Sequence, residues 1–217
     1  MAVDATSQPG QPNTITLGVL AGEPSGDNLA AGMMRQIQLQ AGDAVTVRFV
    51  GVGGPQMIAA GLQVLAPMES LAVNGFREPL LRLPSLVTLL RRLIKTFQQI
   101  EIDAFVGVDF NVFNFLLEKA LKKRGIATAH YVSPSVYAWR TGRTRRVAKS
   151  ADLLLCLYPF EPAFYRDTSV NAQFVGHPLA DEITPDTGSA TAAQEARRQL
   201  NISPENKVLA VLPGSRM

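Results

Sequence analysis

A chain of 217 residues is long enough for one large α/β domain, or for one domain and part of another. With 47% hydrophobic and 18% charged residues it can fill a sizeable core, which excludes disorder as its default state. The formal charge of +3 permits an anionic partner without demanding one and gives no ground to expect nucleic acid, and no window approaches the roughly 18 uncharged apolar residues of a membrane span.

Residues 1–13, MAVDATSQPGQPN, are polar and rich in Pro and Gly, without the basic start and apolar run of a secretory signal. They read as a disordered leader. An apolar strand, Ile15–Ala21, then runs into Gly22-Glu23-Pro24-Ser25-Gly26-Asp27, and small and apolar residues at helical spacing follow over Gly26–Gln40. At this corner Ser25 or Asp27 can cap the helix, and Gly26 allows close backbone approach. Exposed amides at the helix start favour a ligand's anionic or hydroxyl groups. Glu23 is harder to explain as a corner residue, because a carboxylate near a strand end is poised to hydrogen-bond a ligand. Both readings, a capped turn and a ligand corner, stay open.

A second strand, Val45–Val50, leads into GVGGPQM, where Gly51, Gly53 and Gly54 start a dinucleotide fingerprint but Gln56 stands in place of its third glycine. No Gly-Lys-Ser/Thr of a P-loop occurs anywhere, so both nucleotide fingerprints fail. Residues 75–97, GFREPLLRLPSLVTLLRRLIKTF, are apolar with basic punctuation. The spacing predicts a helix over Pro84–Gln99, with Leu86, Leu90, Leu93 and Phe97 on a face that covers a sheet. Phe76, Leu80, Leu81 and Leu83, interleaved with Arg77 and Arg82, exceed what that face needs. Apolar plus cationic is the pattern of a segment lying on anionic lipid; packing into the fold is the competing reading.

The strand Ala104–Val108 ends on Asp109, and a helix is expected over Val112–Arg124. A carboxylate at the carboxyl end of a central strand carries a desolvation penalty, so it needs a partner or a chemical role. Asn111 competes with it for the helix cap, which favours the chemical role. After a strand over Ala127–Val132, HYVSPSVYAWRTGRTRRVAKS is the densest stretch: His130, Ser133, Ser135, the single tryptophan Trp139, and Arg140, Arg143, Arg145, Arg146 and Lys149. A basic run is usually a solvated helix face, here expected at Arg143–Lys149, but aromatics after a strand end also suit a phosphate or sugar site. His130, like His177 in FVGHPLAD, is weighed between hydrogen-bonded structural residue and ligand contact.

Cys156, the one cysteine, lies in the expected strand Asp152–Leu157 and reads as a buried inert thiol with no partner for a disulfide or a metal site. The composition shifts at DEITPDTGSA, residues 181–190, the best linker. Beyond it come a helix, a turn, an expected strand Val208–Leu212 and a Gly-Ser turn. Strand alternating with helix implies an α/β fold, a Rossmann-like, mostly parallel sheet with flanking helices, whose ligands gather at the carboxyl ends of the strands. The boundaries expected are a domain over 14–185 and the first elements of another over 186–217.

AGEPSGD, FVGVGGPQM, LAVNGF, HYVSPSVYAWR, PFEPAFY, FVGHPLAD and LPGSR occur in this order, and the segment from about Ile15 to Arg216 resembles the bacterial lipid-A-disaccharide synthase family. The resemblance implies an inverting GT-B glycosyltransferase, two Rossmann-like domains facing a cleft. It implies transfer from UDP-2,3-diacylglucosamine to 2,3-diacylglucosamine 1-phosphate (lipid X), giving UDP and a β-1,6-linked disaccharide in lipid A biosynthesis. It further implies the cytoplasmic face of the inner membrane as the place of work, with no metal and no cofactor. Asp109 is then expected as catalytic base, with Glu23 beside it. Gly22, Ser25, Gly26, Asp27, His130, Ser133, Ser135, Trp139, Arg140 and Arg216 are expected to bind substrate. Phe76, Leu80, Leu81 and Leu83 are expected at the membrane.

Two positions depart from the family pattern. Where the family usually continues Pro-Asp-Phe-Asn after Asp109, this chain keeps Phe113 and Asn114 but has Val112 in place of the acid, and Tyr137 stands where Trp is usual. The chain stops at Met217, one residue past LPGSR, so by resemblance it is the acceptor-side half, expected to show little activity without the nucleotide-binding half. A non-catalytic domain binding a membrane surface or a lipid sugar phosphate is the alternative. An unrelated nucleotide-dependent α/β enzyme is disfavoured by the missing glycine fingerprints.

Overall fold

The computed structural model describes residues 13–71, 78–109, 111–135 and 143–212, and the side chains among them except at 78–83, 111 and 143. Contacts divide the chain into two units, Met1–Gly176 and His177–Met217, a division before the 181–190 stretch expected as the linker. Residues 1–12 of the expected leader lie outside the described residues; its last residue, Asn13, opens the first strand.

In the first unit the strands are Asn13–Ala21 (β1), Val45–Gly53 (β2), Leu62–Pro67 (β3), Ala104–Val108 (β4), Ala127–Tyr131 (β5), Leu153–Cys156 (β6) and Asn171–Phe174 (β7). They pair in parallel as one seven-stranded sheet in the order β3-β2-β1-β4-β5-β6-β7. The helices are Pro24–Ala41 (α1), Pro55–Ala59 (α2), Glu78–Ile100 (α3), Asn111–Lys122 (α4) and Arg143–Ser150 (α5). This is the Rossmann-like sheet that the alternation implied. α3 differs from expectation: it begins at Glu78 and carries Pro84 inside it.

Side-chain parity along β1 sorts the core into two faces. Val19 and Ala21 pack with Ala30, Ala31 and Met34 of α1, where two alanines let the helix lie close to the sheet. Leu20 points the other way, with Leu93 and Phe97 of α3, Phe105 of β4, and Leu117 and Leu121 of α4. Burying Leu93 or Phe97 contributes roughly 1.5–3 kcal/mol each, so this end of α3 is held as the covering helix it was expected to be. α1 and α4 therefore cover opposite faces of the sheet.

The glycines of GVGGPQM are there for packing. A Cβ on Gly51 would overlap the Val19 carbonyl oxygen, and one on Gly54 would come within 2.6 Å of a carboxylate oxygen of Asp27. A third cluster, with Val147, Ala151, Leu154 and Tyr165, encloses Cys156, whose thiol is pushed up to about 12 by burial and then by nearby Glu161. That protonated, buried thiol fits the inert reading.

The described residues of the second unit include the helices Leu179–Glu182 (α6) and Ala190–Gln199 (α7). Ser189 caps α7, its hydroxyl accepting from the Ala192 N–H at 3.1 Å. The expected strand Val208–Leu212 is not one: the segment is irregular, with Leu209 and Leu212 exposed. An apolar run becomes a strand only where a ladder partner takes its backbone groups, and the described residues of this unit include no strand. Among the described residues no helix is long and apolar enough to cross a membrane.

Candidate functional site

In the strand order the chain winds outward from β1 through β2 to β3, then returns to β4 on β1's other side. At such a reversal the connections leave in opposite directions and open a crevice outside the carboxyl ends of the two strands. Ala21 and Val108 are register partners at those ends. Gly22 and Glu23 continue from one strand and Asp109 from the other.

Glu23 occupies the N-cap position of α1 with extended backbone, its carbonyl accepting the Asp27 N–H at 2.9 Å, and its side chain makes no cap. Pro24 fits the first turn, where its missing N–H is no loss. Ser25 is exposed at the crevice edge, and Gly26 is buried. The absent side chain of Gly26 brings α1 onto the end of β4: a Cβ there would lie 3.4 Å from the Val108 carbonyl oxygen and 3.8 Å from Asp109 Cβ. The corner and Asp109, far apart in sequence, thus meet.

Neither Ser25 nor Asp27 caps α1, contrary to expectation. Asp27 instead turns its buried carboxylate to the start of α2, accepting N–H bonds from Gly54 at 2.9 Å, Met57 at 3.0 Å and Gln56 at 3.0 Å. With three amides on two oxygens it clamps the β2–α2 corner, and little acceptor capacity remains for a substrate.

Asp109 is half-buried with φ +48°, a left-handed conformation that costs a non-glycine residue about 1–2 kcal/mol and that Asp tolerates better than most. Its N–H donates to the Tyr131 carbonyl at 2.9 Å, and its own carbonyl accepts from Asn114 Nδ2 at 2.8 Å. At the end of the next strand Val132 has φ +84°, an outlier for a β-branched residue, its N–H donating to Leu155 at 3.0 Å. Two strained residues at the carboxyl ends of neighbouring strands mark a place where packing enforces backbone that the chain would not choose.

His130 is fully buried, not at the crevice: Nδ1 lies 2.6 Å from Glu118 Oε1 on α4, and Phe115 packs on the ring at 4.5 Å between centroids. Burial pushes the Glu118 carboxyl up, against the opposing pull of His130. Ser133 is also buried, with its hydroxyl 2.9 Å from that of Tyr165. So the structure places the expected substrate contacts Asp27, His130 and Ser133 in internal hydrogen bonds: Asp27 against the start of α2, His130 on the α4 face of β5, and Ser133 against Tyr165. Ser135 is exposed, as are Arg145, Arg146 and Lys149 on α5. His177 Nδ1 accepts the Leu179 N–H at the start of α6. Trp139, Arg140, Tyr137, Arg216 and Phe76 lie outside the described residues, and Leu80, Leu81 and Leu83 are placed in α3 by their backbone only. Asn114 and Glu118 were not among the expected site residues. Their signal was two polar residues one turn apart, between Phe113, Leu117 and Leu121 on the buried face.

Among solved structures, UDP-GlcNAc 2-epimerase from Neisseria meningitidis, bound to UDP-GlcNAc, matches with TM-score 0.52 at 10% identity over 87% of this chain and 53% of that chain. A likeness of that order shows the fold alone. The sequence says more. Lipid-A-disaccharide synthase of Yersinia pseudotuberculosis is 44% identical over 100% of this chain and 52% of its own length. That of Pectobacterium carotovorum is 47% identical over 93% of this chain and 51% of its own. The chain spans about half the length of the curated relatives it matches. The family model described as lipid-A-disaccharide synthetase matches residues 17–217, from mid-β1 through the crevice to the last residue, and the chain belongs to that family.

Proposed function

We propose that this chain forms the acceptor-side half of an inverting GT-B glycosyltransferase that joins UDP-2,3-diacylglucosamine to lipid X in lipid A biosynthesis. The observation that carries the reading is the meeting of the Glu23–Gly26 corner with Asp109 at the sheet's topological switch point, in a member of this family. The acceptor's 6-hydroxyl attacks the donor's anomeric carbon. Its oxygen–carbon bond forms as the bond to UDP breaks, and UDP departs with the electron pair. Asp109 takes the hydroxyl proton, as a positioned carboxylate within hydrogen-bond reach can. Gly22, Glu23, Ser25, Gly26 and Ser135 line the acceptor's side; a substrate-binding role for Trp139, Arg140 and Arg216 rests on the family resemblance of their motifs alone. The donor's uridine belongs to the half of the relatives' length that this chain does not span.

The 217-residue chain is expected to bind lipid X in detergent micelles without converting it when UDP-diacylglucosamine is added, since orientation of both substrates supplies much of the rate in such transfers. Amide resonances of Glu23, Gly26 and Asp109 should shift on titration. Shifts confined to other residues would contradict this acceptor site.

Acylated substrates also account for the apolar, cationic start of α3, which would rest on the anionic cytoplasmic face of the inner membrane. The triple variant Leu80→Ser, Leu81→Ser, Leu83→Ser is expected to weaken salt-sensitive sedimentation with anionic vesicles, each inserted leucine contributing roughly 1–2 kcal/mol, with circular dichroism unchanged. Undiminished binding would assign these leucines to packing.

A further inference from the structure

Directly behind Asp109 lies a polar cluster that the transfer chemistry does not use. Asn114, Glu118 and His130 are all fully buried. Asn114 Nδ2 faces three backbone carbonyls: Asp109 at 2.8 Å, Val108 at 3.3 Å and Leu20 at 3.4 Å. Only an amide nitrogen satisfies a surround of carbonyls, which fixes which way the Asn114 amide points. It thus ties the ends of β1 and β4, the two strands whose connections diverge to form the crevice, and its shortest bond is to the left-handed residue itself.

The Glu118–His130 pair stands beside it. Gly107, register partner of His130, makes the room: a Cβ at 107 would overlap Glu118 Oε1 and come within 2.9 Å of Asn114 Cγ. Glu118 and Asn114 therefore crowd one point, and the 2.6 Å contact to His130 holds Glu118 there. Among the described residues, Asn114 Oδ1, Glu118 Oε2 and His130 Nε2 have no hydrogen-bond partner. A buried polar pair is often no more stabilising than aliphatic side chains of similar volume. Stability does not account for the cluster, but its position does.

We propose that Asn114 is a positioning residue. It holds the backbone of Asp109 in its left-handed turn, Glu118 and His130 hold Asn114, and the three together aim the Asp109 carboxylate into the crevice. This rests on the reading of Asp109 as base, so the test has two arms.

In the 217-residue chain, Cα and Cβ chemical shifts of Asp109, which report φ, are compared between the parent and Asn114→Ala, with Asn114→Ser as the milder variant should Asn114→Ala fail to fold. Both are expected to move Asp109 out of the left-handed range; unchanged Asp109 shifts in a folded variant overturn the proposal. The second arm joins residues 1–217 to the C-terminal half of the Yersinia pseudotuberculosis relative and measures kcat, KM and Tm. The double variant Glu118→Leu, His130→Leu is expected to keep or raise Tm, since both partners of the buried pair are replaced together. It should lower kcat about tenfold with KM changed less than about threefold, a loss that the retained Tm separates from any loss of folding, and Glu118→Gln should lower kcat less than Glu118→Leu. A double variant with parental kcat, or one whose kcat falls only in step with Tm, overturns the proposal. Loss of the base reading itself would show separately, as an active Asp109→Asn alongside displaced Asp109 shifts.

Discussion

Asp109→Asn, in a chimera of residues 1–217 with the C-terminal half of the Yersinia relative, is expected to lower kcat by about 10²–10⁴ while leaving Tm close to the parent. Asparagine adopts the left-handed conformation as readily as aspartate and loses only basicity. The Asp109 backbone bonds to Tyr131 and Asn114 survive the change. Glu23→Gln should fall less, since its backbone already shapes the corner and its side chain makes no cap. Two results would contradict the assignment. If Glu23→Gln loses activity and Asp109→Asn keeps it, the base is Glu23. If Asp109→Asn melts far below the parent, the carboxylate is a structural group. Val112 adds a further control: it is 76% exposed in the first turn of α4, at the position where the resemblance implied an acid. A large gain from Val112→Asp, with Asp109→Asn silent, would move the base to that position.

Asp27→Ala is expected to show the opposite pattern. Removing the carboxylate strips partners from three amides at the β2–α2 corner, two of those bonds being buried. Unpaired buried N–H groups at about 1–3 kcal/mol each predict a loss of roughly 2–4 kcal/mol after partial hydration. For a chain of this size that lowers Tm by roughly 5–15 °C. Binding of lipid X, measured well below Tm, should persist. A parental Tm with lost binding would instead make Asp27 a substrate ligand, as the resemblance implied.

These contrasts follow from what the sequence could and could not reveal. The central strands were legible because a parallel strand buried on both faces is an apolar run, as in Ala104–Val108. Leu62–Pro67 and Asn171–Phe174 were not legible: they are the two edges of the sheet, half exposed and mixed in polarity. Val208–Leu212 erred the other way, being apolar but with no ladder to join among the described residues. The site was half legible. The GEPSGD corner and Asp109 stand out as residues too costly or too rigid for plain turns, and strand order brings them together. Asp27, His130 and Ser133 were expected at the substrate by resemblance, because polarity is visible in a sequence while the direction a side chain takes is not. Asn114 and Glu118 passed as part of an amphipathic helix, since their meaning depends on Gly107 and His130 across the sheet.

Turnover by the chimera decides whether the first unit is one half of a glycosyltransferase. Residues 1–217 joined to the C-terminal half of the Yersinia relative are incubated with lipid X and UDP-2,3-diacylglucosamine, and the products are resolved by mass. The expected products are the β-1,6-linked disaccharide 1-phosphate and UDP in equal amounts, formed without added metal and suppressed by Asp109→Asn. A folded chimera that binds lipid X through Glu23, Gly26 and Asp109 yet forms no disaccharide would contradict this and leave the first unit a lipid sugar phosphate-binding domain.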